Sequence, residues 1–117
     1  VILRAATGFG GGMGRTGGAC GAVTGAILVL GLSFGGTGPA EKKANDKTYA
    51  LVQEFIARFT DRNGAISCTE LLGCDLSTEE GLSRAREGKL TRIVCPGYVR
   101  DAVEILDSII SGQSPGR

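Results

Sequence analysis

Two stretches of the chain repeat apolar residues at helical spacing. The first predicts an amphipathic helix over about residues 45–61, ended by Asn63-Gly64, with one apolar face made of Leu51, Val52, Phe55, Ile56 and Phe59. The second predicts a helix that begins at Cys95-Pro96, with Cys95 as N-cap and the proline at the first helical position. Its apolar stripe consists of Val99, Ala102, Val103, Leu106, Ile109 and Ile110.

A third stretch, from about residue 19 to 34, is apolar on all sides, and no charged residue falls between Arg15 and Glu41. Such a helix is either buried at the centre of a fold or spans a membrane. Its apolar run is shorter than the roughly 20 residues that a bilayer requires. Gly21 and Gly25 do match the small-residue seam of membrane helix dimers. We predict a central buried helix and no membrane span.

Two capping boxes mark shorter helices. Ser67 with Glu70 opens one that stops at Gly73, and Ser77 with Glu80 opens another that runs to about Gly88. Residues 1–6 resemble the end of a further helix, and no segment alternates convincingly as a strand does. The expected fold is all-α, a small bundle of about five helices around the central glycine-rich apolar helix. We expect residues 1–117 to form one domain that lacks its N-terminal helix.

The chain has 117 residues, a net charge of +1 and no histidine. Acidic and basic residues are mixed along its second half, which argues against a nucleic-acid partner, because nucleic-acid surfaces usually carry a basic stripe. The lack of histidine removes the commonest metal ligand and any Cys/His or Ser/His catalytic pair. Chemistry must therefore rest on thiols, carboxylates, lysine, arginine or the backbone.

Four cysteines supply the thiols, and three of them fall at predicted helix starts: Cys20, Cys68 and Cys95. Free N–H groups and the helix dipole favour a thiolate at such positions, so we expect lowered pKa values there. Cys74 follows Gly73 at a helix end and would be auxiliary at best. No CxxC pair occurs, so a joint site must assemble in three dimensions. The alternative is that all four cysteines only fill space in the core.

A glycine-rich segment leads into Cys20. Its sequence from Gly12 to Gly17 matches GxGxxG, but the strand, the βαβ unit and the later acidic residue of a dinucleotide site are missing. We expect instead a loop whose backbone approaches an anion, a sulfide or a thiolate closely. The predicted cofactor-binding residues are Gly12, Gly14, Arg15 and Gly21. Arg15 would place a positive charge beside Cys20.

These motifs together resemble the C_GCAxxG_C_C family. The likeness spans nearly the whole chain and rests on residues 8–15, on Cys20 within a CGAxxG motif, and on Cys68 and Cys95 downstream. The resemblance implies a redox-active protein of anaerobic bacteria or archaea that uses these three cysteines. The family is named for four cysteines, and the first would lie upstream of Val1. Cys74 is not an obvious substitute for it.

Three functions remain open at this stage. In the first, the cysteines bind an iron–sulfur cluster of the 2Fe–2S type for electron transfer, with Cys20, Cys68 and Cys95 as ligands and Cys74 or a missing residue as the fourth. In the second, Cys20 is the attacking thiolate of a thiol–disulfide pair, and Cys68 or Cys95 resolves it. In the third, the chain is a structural helical module that forms a homodimer through its glycine seam.

Location and partners follow from the same pattern. The cysteines are not preceded by a signal peptide, so we predict a cytoplasmic protein. Both redox hypotheses require a redox partner protein.

Overall fold

The protein is a bundle of short and long helices joined by tight connections. The computed structural model describes Arg4 and residues 6–38 and 40–113. A 3-10 turn over Thr7–Phe9 comes first, and six right-handed α-helices follow in these residues: α1 (Gly21–Phe34), α2 (Lys42–Asn63), α3 (Cys68–Leu72), α4 (Glu79–Glu87), α5 (Leu90–Ile93) and α6 (Cys95–Ser111).

The all-α prediction is confirmed, because the described ranges contain no strand beyond one isolated bridge between Ala19 and Ser67. The bounds of α1, α2, α3 and α4 agree with the sequence patterns to within about three residues. Helix α5 was not predicted. The expected helical remnant at residues 1–6 lies mostly outside the described part of the chain.

The main core lies where α1, α2 and α6 meet. Each helix contributes one buried face whose successive members are three or four positions apart, as expected for a helix that packs on one side. The buried side chains are Val23, Ala26 and Leu30 from α1, Leu51, Phe55 and Phe59 from α2, and Ala102, Ile105 and Ile109 from α6. The Phe55 and Phe59 rings stack with centroids 6.0 Å apart.

Helix α1 is less enclosed than the sequence indicated. Its inner side is fully buried at Val23 and Leu30, yet Leu32 is 63% exposed on its outer side. A helix without polar periodicity can bury only the face that its neighbours cover, and the buried residues of the main core that pack on α1 come from α2 and α6. No helix in the part of the chain that the structure describes is both long and apolar enough to cross a membrane.

A second, smaller core lies under α3 and α4. Cys68, Leu76 and Ala85 are buried there, and three leucines pack around them: Leu72, Leu82 and Leu90. The N-cap of α4 is Thr78, whose hydroxyl accepts a hydrogen bond from the Gly81 amide, 3.0 Å away. The predicted N-cap, Ser77, is therefore wrong by one residue. The Ser77 hydroxyl does not cap the helix and donates a hydrogen bond to Asp75 instead.

The glycine-rich segment forms a left-handed turn over residues 10–15, which we call the glycine turn. It includes the helical segment Gly10–Met13, and φ is positive at Gly11, Gly12, Met13, Gly14 and Arg15. Left-handed backbone costs about 1–2 kcal/mol for each residue that carries a Cβ atom, whereas glycine adopts it freely. The turn ends in backbone hydrogen bonds, including one of 2.8 Å from the Gly18 amide to the Gly12 carbonyl.

Two glycine-to-alanine substitutions test this geometry. At Gly12, φ is +73° and an added Cβ would lie 2.6 Å from the Cys68 Cβ and 2.6 Å from the Gly18 oxygen. We expect Gly12→Ala to lower the free energy of unfolding by roughly 2–4 kcal/mol, from backbone strain and overpacking. Gly25 lies inside α1 with nothing within 4 Å of its Cβ position. Gly25→Ala should therefore raise stability by roughly 0.5–1 kcal/mol.

Urea unfolding followed by circular dichroism measures both changes. Similar effects of the two substitutions would contradict the left-handed turn, since they would show that alanine is tolerated equally at both positions.

Candidate functional site

The site is built where two distant segments of backbone pair. Ala19 and Ser67 form an antiparallel bridge. The Cys20 amide donates to the Ile66 carbonyl at 2.7 Å, and the Cys68 amide donates to the Gly18 carbonyl at 2.6 Å. Because Cys20 is the N-cap of α1 and Cys68 is the first residue of α3, this pairing brings two helix starts and their cysteines together.

Cys95 joins them from α6, of which it is the first residue. The three thiols interact electrostatically: Cys20 acts on both Cys68 and Cys95, and Cys95 acts on Cys68. Each of the three thiols is thus within electrostatic range of the other two. The structure therefore brings together the three cysteines that the sequence singled out. Cys74 is buried beside Leu76 in the chain but is not part of this interaction.

The pKa values of two of these thiols move against our expectation. Burial, and then the nearby Cys20 thiol, raises the pKa of Cys68 and of Cys95 above the ordinary value. An apolar environment and a neighbouring negative charge both disfavour a thiolate, and Cys68 is only 7% exposed. The predicted lowering at helix starts is wrong for these two residues because their burial outweighs it.

The start of α6 also differs in detail. Val94 is its N-cap and has helical backbone angles, so Cys95 is the first helical residue and Pro96 the second. Helix α5 ends at Ile93 and leads almost directly into α6. The predicted N-cap at Cys95 is thus wrong by one residue. The cause is α5, a one-turn helix that follows left-handed backbone at its N-cap, Lys89, and that no periodic pattern in the sequence predicts.

Tyr98 is a site residue that the sequence analysis missed. Its hydroxyl donates a 2.8 Å hydrogen bond to the Leu71 carbonyl, and its ring lies 6.3 Å from that of Phe59. Burial raises the pKa of Tyr98, with smaller contributions from Cys95 and then Cys20. Tyr98 therefore ties α6 to α3 beside two of the cysteines. The sequence could have indicated Tyr98, because it lies one helical turn after Cys95 on the predicted helix.

The residues predicted as a cofactor-binding loop lie on different sides of the glycine turn. Gly12 packs against Cys68, because its missing side chain leaves room for the Cys68 Cβ. Gly14 and Arg15 line an open cleft on another side. Gly21 lies at the start of α1, where its Cβ position is 3.5 Å from the Phe9 carbonyl oxygen. Gly12 is thus the one that directly shapes the cysteine site.

The cysteines do not form a ready metal site. Within residues 6–38 and 40–113, no group of three or more Cys, Asp or Glu side chains is arranged to hold a metal ion. All four cysteines are free thiols. A preformed ligand set for an iron–sulfur cluster is therefore not present among the described residues, and the cluster stays a prediction.

The fold and the three gathered thiols define a small helical protein with a cysteine-based site. Residues 1–109 match a family model described as "Putative redox-active protein (C_GCAxxG_C_C)". The chain belongs to this family, as the spaced cysteine motifs implied. Searches of curated proteins and of solved structures return no match.

The raised thiol pKa values predict a dependence of stability on pH. A thiol whose pKa is higher in the folded state than in the unfolded chain stabilises the fold below the ordinary value of 9.0 and loses that contribution as pH rises. Under reducing conditions, the urea midpoint should therefore fall from neutral pH to about pH 10.

A double variant, Cys68→Ala with Cys95→Ala, should show a shallower fall than the wild type. A wild-type slope in the double variant would mean that these two thiols do not carry the effect.

Proposed function

We propose that the protein is a thiol–disulfide redox protein in which Cys20 is the attacking thiol. The observation that carries this proposal is the gathering of Cys20, Cys68 and Cys95, where the Ala19–Ser67 bridge pairs two of their helix starts and the three thiols lie within electrostatic range of one another. Membership of a family described as redox-active supports it. Since the chain has no histidine, a thiol is its strongest available nucleophile.

We assign the roles of the three thiols by their accessibility to a substrate. Cys20 is partly exposed and is the N-cap of a helix of 14 residues, so a substrate disulfide can reach it. Cys68 is buried, which keeps large substrates away from it. Cys95 is partly exposed like Cys20 and is therefore more accessible than the buried Cys68. We therefore assign Cys95 as the resolving thiol, which attacks the mixed disulfide on Cys20. Cys68 has no covalent role in this assignment.

The reaction is a two-step exchange. The Cys20 thiolate attacks one sulfur of a substrate disulfide, which forms a mixed disulfide and releases the other sulfur as a thiolate. Deprotonated Cys95 then attacks the Cys20 sulfur, which forms the Cys20–Cys95 disulfide and releases the second substrate thiolate. The substrate is reduced by two electrons and the protein is oxidised by two. In a reducing compartment such as the cytoplasm, a partner dithiol protein would restore the two thiols.

A second candidate is electron transfer through an iron–sulfur cluster. Cysteine thiolates are the normal ligands of such clusters, and three cysteines lie within electrostatic range of one another here. Cys20, Cys68 and Cys95 would be the ligands, and Cys74 or a cysteine outside this chain would be the fourth. This candidate requires the thiols to rearrange, because the described residues lack a preformed metal site. It is therefore the weaker of the two.

Trapping of the mixed disulfide tests the first proposal. With an aromatic disulfide as substrate, the reduced wild type should release two equivalents of aromatic thiol. Cys95→Ser should release one and retain the adduct on Cys20, and mass spectrometry of peptides would locate it. Cys20→Ser should react at least about tenfold more slowly, because it lacks the accessible thiol. Cys74→Ser is the matched control and should behave as wild type.

The result that would overturn the proposal is a Cys20→Ser variant that still releases two equivalents at the wild-type rate. An adduct that accumulates in Cys68→Ser but not in Cys95→Ser would overturn the assignment of the resolving thiol. Iron and sulfide analysis of anaerobically purified protein, with its visible absorption spectrum, tests the second candidate. Stoichiometric iron and acid-labile sulfide would support it, and a colourless, iron-free protein would reject it.

A further inference from the structure

A second concave site lies beside the glycine turn, and Cys68 is not among its lining residues. It is an open cleft of about 510 Å³ between the turn and α4. The residues that matter for its chemistry are Gly11 and Arg15 from the turn, Leu76, Ala85 and Arg86 around α4, and Thr91 from α5. None of these residues takes part in the redox chemistry proposed above.

The cleft carries positive charge that its own walls do not balance. Arg15 and Arg86 both line it, and none of its lining residues in the described part of the chain is acidic. Neither arginine forms an ion pair within the described residues, where the ion pairs involve Arg58 and Arg62 instead. Two unpaired guanidinium groups on one concave surface attract anions, because a cleft concentrates the field of like charges along its walls.

Arg15 is held at the cleft by a costly backbone conformation. Its φ is +65°, in the left-handed region that residues with a Cβ atom seldom adopt. The stem of its side chain lies over Gly11, where an added Cβ would be only 2.6 Å from the Arg15 Cγ. Glycine at position 11 therefore makes room for the arginine. Such strain is common at sites that bind a ligand.

The floor of the cleft is apolar. Leu76 and Ala85 are 6% and 4% exposed, and both belong to the small core that also contains Cys68. An apolar floor lowers the local dielectric and strengthens the attraction between a guanidinium group and an oxyanion. It also offers contact area to a short hydrocarbon or aromatic group, so an inorganic ion would use only part of the site.

We propose that this cleft binds a small organic anion. Arg15 and Arg86 bind its carboxylate or phosphate, the Thr91 hydroxyl supplies a further polar contact, and its apolar part rests on Leu76 and Ala85. Arginine suits this role because its planar donors match both oxyanions. The proposal is independent of the redox function.

Titration with phenyl phosphate tests the proposal on the reduced wild-type chain, by calorimetry and by NMR shifts of the cleft residues. We expect saturable binding that is tighter than binding of inorganic phosphate, and no binding of phenol alone. Arg15→Gln and Arg86→Gln should each weaken binding by about tenfold, since each removes a charge-assisted hydrogen bond. Arg84→Gln removes the same charge from α4 outside the cleft and should change affinity by less than about twofold.

Three results would overturn the proposal: no saturable binding, equal loss of affinity in Arg84→Gln and Arg86→Gln, or shifts confined to residues outside the cleft. Arg15→Gly provides a variant that keeps the left-handed backbone without strain. It should fold at least as readily as Arg15→Gln and should bind phenyl phosphate as weakly. Wild-type affinity in a folded Arg15→Gly variant would also contradict the role of Arg15.

Discussion

The backbone bridge between Ala19 and Ser67 is the interaction on which the site depends. Its two flanking hydrogen bonds fix the starts of α1 and α3 side by side, and each of those starts carries a cysteine. The third cysteine, Cys95, lies near the other two because α6 packs on α1 in the main core. Gly12 permits this arrangement, since any larger residue would collide with both Cys68 and the Gly18 carbonyl. Without the bridge the helices could still pack, but the thiols would have no common location.

Burial and helix position act in opposite directions on these thiols. A helix start favours the thiolate, whereas an apolar environment and a second thiol nearby favour the protonated form. For Cys68 and Cys95 burial and the neighbouring thiol have the larger effect, so the pKa of each thiol is raised. The result is a set of three neighbouring thiols in which two, Cys68 and Cys95, have raised pKa values and two, Cys20 and Cys95, are partly exposed.

The sequence was informative wherever structure is local. An uninterrupted apolar run located α1, apolar periodicity located α2 and α6, and capping boxes located α3 and α4. The three cysteines at helix starts were the ones that meet. The Ala19–Ser67 pairing could not be predicted, because a single bridge leaves no alternating pattern. The glycines indicated close approach of the backbone but not its left-handed sense. The predicted pKa directions of Cys68 and Cys95 were wrong for a related reason, because their burial depends on which helices pack together. Helix α5 is one turn long and was too short to detect.

The distance along the chain between the bridged residues has a consequence for biosynthesis. Ala19 and Ser67 are separated by about fifty residues, so closing that loop costs entropy that the packing of α1 on α2 must first offset. On a ribosome, Cys20 emerges well before its partners exist, and it stays an isolated thiol until α3 and α6 have been made. The cysteines can therefore meet only after the bundle has formed. Their oxidation state then reports on a finished protein and not on a nascent one.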